Sequence, residues 1–187
     1  SVEPDLSIKS ADMSFIPETI TKLPASAVIS ANIKNLGRTD VAQAKVILYD
    51  GDQLPENIIA EQTLAFPGES TTAVTFQAQV EDGASHVYRL FVDADNIVAE
   101  SSETNNVAAK VLEPTPTYDL EILSSDVSLS AETIDKYQDV TISAKISNWG
   151  TMDAYDVKVN FTAGSTIVAT KTLAMVPANG SVMSETT

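Results

Sequence analysis

Ala27, Ile29, Ala31 and Ile33 are spaced by single residues, and 113 positions later Val140, Ile142, Ala144 and Ile146 repeat the spacing. The same offset carries Asn35 and Gly37 onto Asn148 and Gly150, Asp40 onto Asp153, and Ala44, Val46 and Leu48 onto Val157, Val159 and Phe161. Lys45 and Lys158 sit at matching places between them. Alternation of this kind sends successive side chains to opposite faces of an extended strand, one toward a core and the other toward water. No stretch has a convincing helical period. A chain carrying one inward-outward pattern twice builds one kind of β-unit twice.

Upstream, Asp5, Leu6 and Ile8 answer to Asp119, Leu120 and Ile122 at an offset of 114, so the repeat begins near Pro4 and again near Tyr118. After Phe161 the offset falls to 109, placing Thr63, Leu64 and Ala65 on Thr172, Leu173 and Ala174. The residues lost lie in the segment Gly51 to Asn57, GDQLPEN, which has the composition of a loop and is replaced by Ala163-Gly164-Ser165. Further strands are expected over residues 71–80, 86–94 and 106–112, with Val74, Phe76, Ala78 and Val80 on one face. About seven strands in roughly 110 residues, with turn residues between them, fit a two-sheet sandwich.

The expected fold class is therefore all-β, an immunoglobulin-like antiparallel β-sandwich in two tandem domains. The first covers residues 1–113 and the second residues 118–187. Residues 114–117 between them carry Pro114 and Pro116 and read as a stiff, extended linker. The second copy is expected to lack its C-terminal strands, since Gly180 to Thr187 correspond to the Gly68 to Thr75 region. On this reading the chain continues beyond residue 187.

Charge and composition narrow the function. The 26 acidic and 11 basic side chains give a net charge of -15, which repels phosphate backbones and anionic headgroups, so nucleic acid is not an expected partner. No apolar run is long enough to span a bilayer, and no membrane insertion is expected in this segment. The first residues lack a basic and then apolar leader, which leaves secretion open because a leader is removed on export. The absence of cysteine removes disulfide staples, thiol nucleophiles and thiolate metal sites together.

One segment stands out by its motif. Val92 to Asn106 reads VDADNIVAESSETNN, an Asp-x-Asp-Asn followed by Glu-x-Asn-Asn, and it follows the earlier Asn35-Leu36-Gly37. Together these resemble the CARDB family, the cell-adhesion-related domain found in bacteria and archaea. The resemblance covers most of residues 4–113 and, without the acidic motif, roughly residues 118–187. It implies a seven-stranded immunoglobulin-like sandwich, often in tandem within large surface or secreted proteins, and hence an extracellular or cell-surface location.

The same segment holds the candidate metal ligands Asp93, Asp95, Asn96, Glu100 and Glu103, with no basic residue among them. Oxygen ligands in that density suit calcium, although the spacing is not that of an EF-hand loop. The competing and preferred reading is a structural turn joining two strands, with Asn105 and Asn106 fixing the entry to the second. No other cofactor is expected.

Asn35 to Gly37 and Asn148 to Gly150 read as turns in which glycine permits a positive φ. Trp149, the only tryptophan, is expected to cap one end of a sandwich core, the alternative being a sugar or protein anchor. His86, the only histidine, has no second histidine, cysteine or serine-centred motif beside it, so no catalytic residues are expected. Asn160-Phe161-Thr162 and Asn179-Gly180-Ser181 match the glycan-acceptor tripeptide, and Asn160 should face outward if Phe161 faces in.

The expected function is a non-catalytic structural or adhesion module of a prokaryotic surface or secreted protein. It would space or present neighbouring domains of its parent, or bind a protein or a cell-surface polysaccharide. The alternative is a carbohydrate- or calcium-binding accessory module attached to an extracellular hydrolase.

Overall fold

The computed structural model describes residues 2–187, and nearly every regular element in it is a strand. In chain order these are β1 (Leu6–Ser7), β2 (Met13–Ile16), β3 (Ala25–Asn35), β4 (Val41–Asp50), β5 (Ile58–Phe66), β6 (Ser70–Val80), β7 (His86–Val92) and β8 (Val107–Leu112). The second copy follows with β9 (Leu120–Glu121), β10 (Val127–Leu129), β11 (Ile142–Asn148), β12 (Ala154–Ala163), β13 (Thr166–Val176) and β14 (Gly180–Thr186). The helical elements are short 3-10 turns at Ser10–Asp12, Pro55–Asn57 and Ser124–Asp126.

In the first copy, β1 and β2 follow one another along β3, which also pairs with β6. The other sheet runs β5-β4-β7-β8, antiparallel throughout. The alternation seen in the sequence becomes burial: Ala27, Ile29, Ala31 and Ile33 of β3 face inward, as do Val74, Phe76, Ala78 and Val80 of β6. Val46 and Leu48 of β4 meet them from the opposite sheet with Tyr88, Leu90 and Val92 of β7. This is an immunoglobulin-like sandwich.

The second copy repeats the register. Leu6 and Ser7 pair with Asn35 and Lys34, and Leu120 and Glu121 pair with Asn148 and Ser147. Even the turn after the first short strand is rebuilt: Asp12 accepts from the Lys9 N–H and Asp126 from the Leu123 N–H, both at 3.0 Å. Each aspartate then pairs at 2.9 Å with a lysine of the central strand, Lys34 or Lys145. These lysine hydrogen bonds hold both carboxyls below their ordinary pKa. β11 pairs with β9, β10 and β14, while β12 forms a two-stranded sheet with β13. Ala144, Ile146, Val159, Phe161 and Val176 make the core.

The chain divides into two compact units. The first holds the residues up to Thr19, Ser26–Val80 and Ala84–Glu113; the second holds Ile20–Ala25, Glu81–Gly83 and Pro114–Thr187. Within the second unit, the Thr115 N–H donates to the Ile20 carbonyl at 2.7 Å and the Leu23 N–H to the Trp149 carbonyl at 2.8 Å. Backbone hydrogen bonds thus anchor the 20–25 segment there.

Candidate functional site

Residues 93–106 join β7 to β8 in the first unit, and hydrogen bonds occupy much of their polar chemistry. Asp93 is buried, with φ 49°, and its carboxylate accepts from the Ile97 N–H at 3.3 Å and the Val98 N–H at 2.9 Å. Asn96, also at positive φ, donates its N–H to the Asp93 carbonyl at 2.8 Å. That is the turn chemistry of short polar side chains, which tolerate the left-handed region. Asp95 pairs with Lys45 at 2.9 Å, beside a hollow of about 270 Å³ that Asp93 and Ile97 also line.

Glu100 and Asn105 bind this connection to the start of the chain. The Glu100 carboxylate accepts from the Leu6 N–H and, at 2.7 Å, from the Asn106 amide. Glu103 accepts from the Glu100 N–H at 2.9 Å. Asn105 donates its side-chain amide to Asp5 at 2.8 Å, and its backbone carbonyl accepts from the Ile8 N–H at 3.0 Å. Burial raises the Glu100 pKa above the ordinary value, outweighing the two donors that favour the charged form.

The five residues singled out as calcium candidates therefore share one connection, but each makes its own internal bond. Among the described residues, no group of three or more His, Cys, Asp or Glu side chains is arranged to hold a metal ion. His86 lies outside this connection, with its Nδ1 2.6 Å from Asp50 Oδ2.

The sequence reading undervalued a different pair. Asn35 is buried at the end of β3, and its side chain makes four hydrogen bonds. Its oxygen accepts from the Asp5 and Gly37 N–H groups, both at 3.1 Å, and its amide donates to the Thr39 carbonyl at 2.9 Å and the Phe66 carbonyl at 3.0 Å. Asn148 does the same with the Asp119 and Gly150 N–H groups and the Met152 and Val176 carbonyls, at 3.2, 3.0, 2.8 and 3.1 Å. Each asparagine staples the entering chain, its own turn and the end of a strand in the other sheet. The signal was visible as Asn-x-Gly at matching places, but a turn role accounts for only two of the four bonds, the other two reaching the entering chain and a strand of the other sheet.

The expected reason for the glycines also changes. Gly37 and Gly150 are not among the glycines at positive φ, which are Gly51 and Gly164. A Cβ on Gly37 would lie 1.9 Å from the Glu3 carbonyl oxygen, and one on Gly150 would lie 2.4 Å from that of Thr117. Both permit close backbone approach, the other use of the missing side chain.

The CARDB family pattern matches residues 3–110 and again residues 117–187. The chain belongs to the CARDB family. Its solved structural neighbours include the CARDB domain of the PF1109 protein from Pyrococcus furiosus, crystallised in complex with di-metal ions. That domain is 23% identical with a TM-score of 0.53, over 61% of this chain and 96% of that one. The solution structure of the same domain gives 22% identity and a TM-score of 0.52, over 62% and 98%. A domain of a provisionally named cell-surface protein from Methanosarcina acetivorans is 25% identical with a TM-score of 0.48, over 60% and 93%. No curated protein matches.

CARDB is a family of non-catalytic modules, and here the CARDB fold occurs as tandem copies. No helix among the described residues is long and apolar enough to cross a membrane. The acidic motif lies in the first CARDB copy, and the asparagine staple is present in both. Trp149 is 39% exposed and its counterpart Leu36 53%, so this position faces solvent more than the expected cap of a core would. Asn160 is exposed and Phe161 buried, the orientation expected of that acceptor tripeptide.

Proposed function

We propose that this chain is a structural or adhesive segment of a prokaryotic cell-surface or secreted protein, spacing or presenting neighbouring domains and meeting any protein partner with its loops or edges. The observation that supports this most is what the duplication preserves. Both copies keep the four-bond asparagine, the glycine of close approach and the aspartate-lysine turn, all of them scaffold features. A chain selected for span keeps what holds each module together, and loop-borne function varies on top of it.

The accessory-module reading rests on Trp149 and the acidic connection. The PF1109 domain is described with two metal ions, which raises the same question for Asp93, Asp95, Asn96, Glu100 and Glu103. Calcium would have to compete with the Val98 N–H for Asp93, with Lys45 for Asp95 and with Asn106 for Glu100.

Two measurements separate these readings. Calorimetry with calcium should give no saturable heat at millimolar metal, and a glycan array should give no saturable signal. Binding of a glycan that is lost in Trp149→Ala, or calcium heat lost in Asp93→Asn, would replace the spacer reading with the accessory one.

A further inference from the structure

Glu18-Thr19-Ile20-Thr21-Lys22-Leu23, ahead of β3, and Glu132-Thr133-Ile134-Asp135-Lys136-Tyr137, ahead of β11, lie 114 positions apart and share Glu, Thr, Ile and Lys at identical places. The Ile20–Leu23 part of the first is seated within the second unit. Ile20 and Leu23 are each 2% exposed, the Ile20 carbonyl accepts from the Thr115 N–H, and the Leu23 N–H donates to the Trp149 carbonyl. Between them Lys22 pairs with Asp119 at 2.6 Å, and the Thr21 carbonyl accepts from the Thr117 hydroxyl. The later segment is turned out to solvent. Ile134 is 56% and Tyr137 91% exposed, and the Lys136 ammonium lies back over the Tyr137 ring, 4.8 Å from its centroid. Tyr137 stands at φ 69°, a left-handed value that bulky side chains rarely adopt, whereas Leu23 is not among the residues at positive φ.

The receiving side also occurs twice. Asp119 and Trp149 are placed by the Asn148 staple, whose oxygen accepts from the Asp119 N–H while the Trp149 N–H donates to the Asp119 carbonyl. In the first unit Asn35 places Asp5 and Leu36 by the same two bonds, and Leu36 is exposed. Glu3 stands where Thr117 does, so the hydroxyl bond has no counterpart there. The carboxylate and the carbonyl that meet Lys22 and Leu23 do.

We propose that the Glu132–Tyr137 loop seats on the Asp5–Leu36 face of another molecule of this chain. Lys136 pairs with Asp5 as Lys22 does with Asp119, and the Tyr137 N–H donates to the Leu36 carbonyl as that of Leu23 does to Trp149. A single cation meeting a single carboxylate fixes the register, and withdrawal of Ile134, Tyr137 and Leu36 from water supplies the apolar contribution. Loop and face are different surfaces, so the contact is heterologous, and a chain bearing both adds further molecules head to tail. This association goes beyond the spacing role and is tested apart from it.

Sedimentation velocity on the 187-residue chain reads it directly, in about 0.15 M salt to screen the repulsion between chains of net charge -15. The sedimentation coefficient should rise with concentration up to millimolar chain and pass the value of a dimer. Ile134→Asp spoils the loop and Leu36→Asp the face, and each should weaken association at least tenfold. An equimolar mixture of those two variants should form a dimer and nothing larger, because the first keeps its face and the second its loop. That rescue also shows both variants to be folded. Lys136→Glu, which sets a carboxylate against Asp5, should weaken association at least threefold. A native chain that stays monomeric at millimolar concentration, either aspartate variant associating as the native chain does, a mixture that stays monomeric or grows past the dimer, or an unchanged Lys136→Glu chain would each overturn the proposal.

Discussion

At the scale of single residues, Asn35 and Asn148 matter most because each satisfies three separate backbone segments from one buried amide. A net hydrogen bond is worth about 1 kcal/mol, and an unsatisfied buried partner costs more than the bond itself contributes. Asn35→Ala should therefore lower stability by about 3 kcal/mol, measured by urea denaturation, with the same outcome for Asn148→Ala. Replacement by aspartate should be worse, since a carboxylate would face the Thr39 and Phe66 carbonyls in place of the amide that now donates to them. Tyr88 marks the alkaline limit. Burial, with a smaller contribution from Asp50, pushes its hydroxyl up to about 12. A folded-state pKa above the ordinary value near 10 means that this contribution is intact below pH ~10 and is lost as pH rises through ~12. Tyrosinate absorbance should show one of the five tyrosines ionising late, together with unfolding, and Tyr88→Phe should remove that late phase.

At the scale of elements, alternation located β3, β4 and β11, because a strand with one face in a core and one in water leaves a period-two trace. It could not distinguish a covered face from an open one. The acidic connection was legible as a turn from Asp95-Asn96. Its long-range bonds from Glu100 to Leu6 and from Asn105 to Asp5 were not, because no local pattern records a partner about a hundred residues away. The loop between β4 and β5 differs in length from the turn between β12 and β13, so it tests tolerance directly. Grafting residues 51–57 in place of Ala163-Gly164-Ser165 should cost roughly 1 kcal/mol or less by urea denaturation, because closure entropy grows only with the logarithm of length.

At the scale of the whole molecule, the two compact units should melt separately. Scanning calorimetry should resolve two transitions, with Asn35→Ala lowering one and Asn148→Ala the other; a single transition shifted by both would show one cooperative body. The staples also bear on how the molecule ages. Asparagine deamidates when the nitrogen of the following residue attacks its side-chain carbonyl carbon. At both staples that nitrogen is engaged: the Leu36 N–H donates to the Asp5 carbonyl at 2.8 Å and the Trp149 N–H to the Asp119 carbonyl at 2.9 Å. Asn179, followed by Gly180 and held at positive φ, has no bulky neighbour to slow the attack. Under prolonged warm storage, mass spectrometry should find a one-dalton gain at Asn179 long before either staple, so chemical wear would begin at a surface turn while the joints that hold each sandwich closed keep their original composition.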